Sequence, residues 1–236
     1  MIVAAAVVPG APFLVPGVAD PIAARTSELT AACRQAVGGL SGADRIVLVS
    51  AARWPSPARR LPPGTVPGGS PLRRRDLADG APPVIDPAVG SIVGAAVLRR
   101  ARPELDLTRV LMVETGADPT AAAALITAPE DESRIGLLVV ADGAAAHGEH
   151  APGRRDDRSA EFDDALAAAL GDGDPAALAR ACADRDLGRQ LLAVTDPLRV
   201  LALLTVAEPP TGAELLYGAH PYGVGYLVAG WRWSRG

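Results

Sequence analysis

The hydrophobic pattern along the chain predicts alternating strands and helices. Ile2–Val8 is an uninterrupted apolar run of strand length, which is typical of a strand buried on both faces of a sheet. A helical period covers residues 21–40, with Asp20 and Pro21 as N-cap and first-turn proline, and Asp44–Ser50 is a second apolar run. This β-α-β order predicts an α/β fold of the layered kind.

The same periodicities continue to the end of the chain. Strands are predicted at 108–116 and 134–143, and two more, paired antiparallel, on either side of Gly218–Gly223. Helices are predicted at 86–101 with Asp86 as N-cap, 118–128, 159–170, 174–186 and 196–207. The proline-rich segment Trp54–Pro83 is predicted to lack regular structure. We therefore expect a three-layer α/β/α sandwich with a mixed central sheet, formed by a single domain of residues 1–236.

The charge and cysteine content of the chain indicate which kinds of binding partner and cellular compartment to expect. A net charge of −4 gives no reason to expect nucleic acid or an anionic membrane. The arginines of Arg59–Arg60 and Arg73–Arg75 are interpreted as the solvated surface of a loop, with a phosphate-binding patch as the alternative. Cys33 and Cys182 are far apart, so a disulfide is not expected. No charge-free apolar run reaches about 18 residues and no signal peptide is recognisable. These features predict a cytoplasmic protein without a membrane partner, and they leave a homo-oligomer open.

Few polar side chains follow the predicted strands. The loop Pro9–Gly17 after the first strand has no side chain suited to catalysis. After the second strand only Ser50 and Arg53 are polar, and both are candidates for substrate binding. Ser50 lacks the surrounding glycines of a nucleophile elbow.

Histidines occur in two segments of the chain. Asp142 ends a predicted strand, and His147, Glu149 and His150 follow in a glycine-containing loop, which makes them candidate metal ligands or exposed loop residues. Asp142 and His147 are also candidate catalytic groups. His220 and Tyr222 lie in the aromatic segment near the end of the chain, where they either line a small-molecule pocket or pack in a turn.

Taken together, these segments resemble a known family. The stretches "AAAVVPGAPFLVPGV", "DRIVLVSAARW", "LLVVADGAAAHGEHAPG", "EFDDALAAALGDGDPAAL" and "LLYGAHPYGVGYLVAGW" are similar in order and spacing to the catalytic B subunit of class III extradiol ring-cleavage dioxygenases, the LigB-like superfamily, in its small actinobacterial branch. The resemblance implies an α/β/α sandwich. In active relatives it implies Fe(II) bound by two histidines and one glutamate, with another histidine as acid/base.

The residues at the matching positions differ from the active pattern. Gly10 and Ala52 stand where the resemblance places the iron-binding histidines, and Ala145 stands where it places the acid/base histidine. Glu214 is one candidate for the glutamate ligand. Glycine and alanine have no side-chain donor, so the resemblance predicts a chain that has lost Fe(II) and ring cleavage and requires no cofactor.

Three functions follow from this interpretation. The first is a small-ligand-binding or interaction protein, with a small aromatic or phenolic ligand as the expected partner. The second is an active Fe(II) dioxygenase whose ligands are drawn from Asp142, His147, Glu149, His150 and His220. The third is a metal-free activity in the inherited pocket, for which no particular reaction is indicated.

Overall fold

The computed structural model describes residues 1–17, 26–52, 56–61, 87–127 and 133–234. Its strands are β1 (Ile2–Val8), β2 (Arg45–Ala51), β3 (Arg59–Arg60), β4 (Leu111–Thr115), β5 (Ile135–Val140), β6 (Gly212–Ala219) and β7 (Tyr226–Arg232). Its α-helices are α1 (Ser27–Gly38), α2 (Val89–Ala101), α3 (Pro119–Ile126), α4 (Ser159–Asp172), α5 (Pro175–Ala181), α6 (Arg185–Gln190) and α7 (Asp196–Thr205).

Aspartates fix the starts of three of these helices. The carboxylates of Asp118, Asp174 and Asp184 accept hydrogen bonds from the otherwise unpaired backbone N–H groups at the starts of α3, α5 and α6. A proline in the first turn of α3 and α5 presets the helical backbone angle. The local sequence therefore determines where these helices begin.

The seven strands form one mixed sheet with the order β3-β4-β2-β5-β1-β7-β6. The four strands β4, β2, β5 and β1 are parallel to one another. At one edge β3 pairs antiparallel with β4; at the other, β7 pairs antiparallel with β1, and β6 pairs antiparallel with β7. The parallel strands are almost wholly buried, because helices cover both of their faces. Their carboxyl ends all lie at one edge of the sheet, where α/β proteins bind ligands.

Hydrophobic cores lie on the two faces of the sheet. Alternate residues of the strands, such as Val47 and Val49, pack with α3, α4, α5 and α7 on one face. The intervening residues, such as Ile46 and Leu48, pack with α1 and α2 on the other face. The expected three-layer α/β/α arrangement with a mixed sheet is confirmed, including the antiparallel pairing of the last two strands.

Some predictions need correction. Arg59–Arg60 is not a solvated loop but a short strand paired with β4, because its backbone completes the edge of the sheet. The predicted helix at 174–186 is two helices, since Asp184 caps a new one. The predicted caps Asp20 and Asp86 lie outside the described residues, as do the arginines Arg53 and Arg73–Arg75. Within the described ranges, no helix combines the length and apolarity needed to cross a membrane.

Candidate functional site

A cleft lies at the carboxyl ends of the parallel strands. Its inner compartment has a volume of about 340 Å³ and is lined by Gly10, Ala51, Ala52, Ala88, Val89, Gly90, Val140, Asp142 and Val194. Among these lining residues only Asp142 has a polar side chain. The described lining of the inner compartment is therefore mostly apolar, with one carboxyl group.

An outer compartment continues from the inner one. It has a volume of about 500 Å³ and shares Ala51, Ala52 and Val194 with its neighbour. Its other described lining residues are Ser56, Thr115, Gly116, Ala117, Arg185, Gly188, Arg189, Ala193, Thr195 and Asp196. Among the described lining residues, the end of β2 thus separates a compartment with a single carboxyl group from one bordered by hydroxyl and charged groups.

The position of Asp142 depends on its contact with Gly10. The backbone N–H of Gly10 donates to Asp142 Oδ1 at 2.9 Å, and a Cβ atom at position 10 would lie 2.8 Å from Oδ2. Any larger residue at this position would therefore displace the carboxyl group. Burial raises the pKa of Asp142 to about 6, and the hydrogen bond from Gly10 opposes this effect only in part.

A buried carboxylate connects the walls of the cleft. Glu114 on β4 is 0% exposed and accepts hydrogen bonds from the Arg59 guanidinium at 2.6 and 2.9 Å. It also accepts from the Ala88 backbone at 2.6 Å and from the Ser91 hydroxyl at 3.0 Å. Ser50 is 0% exposed, and its hydroxyl lies 2.8 Å from that of Ser91. The candidate substrate-binding residue Ser50 therefore belongs to this buried network and does not line the cleft.

The candidate catalytic residue His147 belongs to a second cluster. Its Nε2 lies 2.6 Å from Oδ2 of Asp163 on α4, and its ring stacks on that of His220 with centroids 4.5 Å apart. Burial raises the pKa of the Asp163 carboxyl, and hydrogen bonds from Ala144 and His147 counteract this shift. None of these residues lines the cleft.

Asp163 is closely enclosed by backbone. A Cβ atom at Gly143 would lie 2.4 Å from its Oδ1, and one at Gly225 would lie 1.8 Å from its Oδ2. These contacts join α4 to the loop after β5 and to the segment before β7. The cluster of His147 and Asp163 therefore fixes the relative positions of three segments.

The structure also locates the remaining candidates. His220 is exposed, and Tyr222 packs edge-on against Phe13 with a backbone φ of 60°. Both are thus part of a packed turn and not of the cleft lining. Ala145 is buried away from the cleft, whereas Gly10 and Ala52, the other positions that differ from the active pattern, both line the inner compartment. Arg53 lies outside the described residues.

The donor set does not fit the Fe(II) site that the family resemblance implies. Glu149 and His150 are exposed, and Glu214 lies on the exposed side of β6. In the part of the chain that is described, no three His, Cys, Asp or Glu side chains form a group able to hold a metal ion. The chain contains three histidines, all of them described, and none lines the cleft. Among the described residues that line the inner compartment, Asp142 alone has a side chain able to bind a metal ion.

Several important residues were not recognised in the sequence. Glu114 interrupts an apolar strand, and Asp163 lies at a buried position of α4. In both cases a carboxylate at a position where the hydrophobic pattern predicts an apolar residue could have identified the residue. Thr115 gave no comparable signal. A scan against protein-family models and a search of the curated proteins found no match to this chain.

Proposed function

We propose that this chain is a small-molecule-binding protein that holds a small aromatic or phenolic ligand in its cleft without Fe(II) ring-cleavage chemistry. The family resemblance in the sequence motivates the class of ligand. The polarity of the cleft supports it, since a ligand with an apolar body and a hydroxyl group matches an apolar compartment with one carboxyl group.

The observation that carries this proposal is the position of Asp142 in the inner compartment. Its Oδ1 is engaged by Gly10, and its Oδ2 lies where a side chain at position 10 would otherwise be. Above its pKa of about 6 the carboxylate accepts a hydrogen bond from a phenolic hydroxyl. Ala51, Ala52 and Val140 give the aromatic ring an apolar surface.

The alternative is an Fe(II)-dependent ring-opening dioxygenase with relocated ligands. It requires imidazoles around one metal position. His147 is instead engaged with Asp163, and His150 and His220 are exposed. The donor chemistry of the cleft therefore favours ligand binding over iron-dependent ring opening.

The test is calorimetric titration of the purified protein with 4-methylphenol at pH 8. We expect saturable binding that Ala52→Trp abolishes, because the indole fills the space between the compartments. Asp142→Asn should weaken binding by about 10- to 100-fold, since it removes a charged acceptor. Ala160→Trp, at an exposed position of α4, is the matched control and should bind as the wild type does. Equal binding by the wild type and Ala52→Trp, or no binding by the wild type, would contradict the proposal.

A further inference from the structure

The two oxygens of the Asp142 carboxyl group have different surroundings. Oδ1 accepts a hydrogen bond of 2.9 Å from the Gly10 backbone N–H. Oδ2 has no hydrogen-bond partner in the part of the chain that is described, and it is not among the fully buried unpaired atoms found there. Because Asp142 is half-buried and lines the inner compartment, Oδ2 is the oxygen that remains available to a bound molecule.

This asymmetry determines where the proton lies when the Asp142 carboxyl group is neutral. A backbone N–H is a donor only, so the Gly10 N–H is best matched by the carbonyl oxygen of the neutral acid. Oδ1 is therefore the carbonyl oxygen and Oδ2 carries the proton. The neutral acid thus directs an O–H donor into the inner compartment, whereas the ionised carboxylate directs an acceptor into the same space.

We propose that Asp142 selects the ligand of the cleft by its protonation state: the carboxylate binds hydrogen-bond donors such as phenols, and the neutral acid binds small apolar molecules with a carbonyl group. This inference rests on the proposed function, because it concerns the same compartment and the same side chain. It adds aldehydes and ketones, which accept hydrogen bonds but do not donate them, as a second class of ligand.

The groups that face Asp142 within the inner compartment do not titrate with it. The loop after β1, the end of β2, the start of α2 and the segment at Val194 contribute only apolar side chains or glycine to its described lining. Tyr226 on β7 interacts electrostatically with Asp142. Burial, together with the charge of Asp142, raises the pKa of Tyr226 to about 12, so this phenol is neutral wherever Asp142 titrates.

Charged groups border other parts of the cleft, namely Arg185, Arg189 and Asp196 in the lining of the outer compartment and Glu114 with Arg59 at its wall. Each of these guanidinium groups has a carboxylate partner. The pKa of Asp142 is raised to about 6 by burial, and the hydrogen bond from Gly10 opposes this shift. The change between donor and acceptor therefore falls in a pH range where binding is measurable.

Asp142→Asn provides a permanent copy of the neutral acid. Its amide oxygen takes the position of Oδ1, because the opposite orientation would direct the amide N–H groups at the Gly10 N–H. The amide nitrogen then takes the position of Oδ2 and donates into the inner compartment. Unlike the acid, the amide keeps this arrangement at every pH of the experiment.

Two probes of similar size distinguish the two forms of the site. 4-Methylphenol donates a hydrogen bond, whereas benzaldehyde has the same number of non-hydrogen atoms and only accepts one. The chain contains no lysine, so benzaldehyde meets no side-chain amine with which to form an imine. Calorimetric titrations of the wild type are performed at pH 8 and pH 5 under nitrogen, which prevents oxidation of the aldehyde.

We expect the two affinities to change in opposite directions. Between pH 8 and pH 5, benzaldehyde should bind the wild type about tenfold more tightly and 4-methylphenol about tenfold more weakly, as is typical of one hydrogen bond gained or lost. Asp142→Asn should bind benzaldehyde more tightly than 4-methylphenol at both pH values. Asp164→Asn, at an exposed position of α4, is the matched control and should change with pH as the wild type does.

The outcomes separate the two proposals. If 4-methylphenol binds at pH 8 but benzaldehyde does not bind more tightly at pH 5, selection by protonation is overturned and the proposed function stands. Opposite pH dependences that persist in Asp142→Asn also overturn the inference, because another group then titrates. If 4-methylphenol does not bind the wild type at pH 8, the proposed function fails, and the inference fails with it.

Discussion

The absence of a side chain at Gly10 and the position of the Asp142 carboxyl group depend on each other. The sequence suggested that Gly10 marks a lost histidine. The structure adds a physical reason for glycine here, since a Cβ atom would lie 2.8 Å from Asp142 Oδ2 and the Gly10 N–H donates to Oδ1. Glycine thus admits a carboxyl group into the space that a side chain at position 10 would occupy. Restoring a histidine at this position alone would displace Asp142.

At this scale we predict a pH-dependent effect of Asp142→Asn. Burial raises the pKa of Asp142 from 3.8 to about 6, so the folded state binds more protons than the unfolded state between these pH values. Stability from the neutral carboxyl is fully present below pH 4 and is lost as the pH rises towards 6. Asparagine avoids the buried charge, so the variant should exceed the wild type by about 1–2 kcal/mol at pH 8 and match it at pH 4.

Urea denaturation at intervals between pH 4 and pH 8 checks this expectation. Asp164→Asn, an exposed position of α4, serves as the control and should show no such divergence. A stability difference between Asp142→Asn and the wild type that does not change with pH would contradict the assignment of the shift to Asp142.

At the scale of secondary-structure elements, hydrogen bonds to Glu114 connect β4 with two other segments that line the cleft. Its carboxylate holds the strap, residues 56–61, through Arg59, and holds the start of α2 through Ala88 and Ser91. Gly116 permits the strap to lie close, because a Cβ atom there would be 2.4 Å from the Ser56 carbonyl oxygen. Ser56 and Ala88 line opposite compartments, so this network positions walls of both.

We predict strong energetic coupling between Arg59 and Glu114. Arg59→Met should lower the free energy of unfolding by about 2 kcal/mol, because the buried carboxylate loses its cationic partner; the partial exposure of the guanidinium limits the effect. Arg59→Met combined with Glu114→Gln should recover most of this loss. Arg60→Met, which removes an exposed neighbouring guanidinium, is the control and should change stability by less than about 0.5 kcal/mol.

Denaturant unfolding of the wild type, both single variants and the double variant provides the coupling energy. A value above about 1 kcal/mol is expected for groups that share a buried hydrogen-bonded pair. Additive effects of the two substitutions would show that the pair does not hold the strap.

At the scale of the whole molecule, the distribution of histidines determines which metal chemistry the chain can support. The chain has three histidines, and the fold places all of them outside the cleft lining. His147 and His220 stack on one another beside Asp163, and His150 is exposed. The cleft lies at the usual position for a ligand site in an α/β sheet, yet the described lining of its inner compartment offers a single carboxyl donor.

We predict that anaerobic titration with Fe(II) will reveal no tight site in the cleft. One carboxylate without imidazoles does not provide the ligand set that such iron sites use. Calorimetry with the wild type and Asp142→Asn should give equally weak heats. One equivalent of Fe(II) bound at submicromolar concentration, lost in Asp142→Asn, would overturn the expectation and revive the ring-opening alternative.

The sequence was most informative about regular elements. β1 was predicted with its observed bounds, because Ile2–Val8 is an apolar run whose burial on both faces requires no knowledge of its neighbours. The start of α3 was equally clear, since Asp118 and Pro119 act within a single turn. By contrast, the strand Arg59–Arg60 could not be predicted, because it depends on β4 and on the buried carboxylate of Glu114.

The same distinction between local and long-range features applies to the candidate site. The sequence by itself determined the local features: strands, helix starts, the position of Asp142 after a strand and the absence of imidazoles at Gly10 and Ala52. Only the tertiary structure decided that Gly10, Ala52 and Asp142 share one compartment, that His147 is bound to Asp163, and that the Thr115 hydroxyl has no partner among the described residues. The physical reason is range: backbone capping and hydrophobic periodicity act within a few residues, whereas burial and pairing of polar groups depend on segments that are distant in the chain and adjacent in the fold.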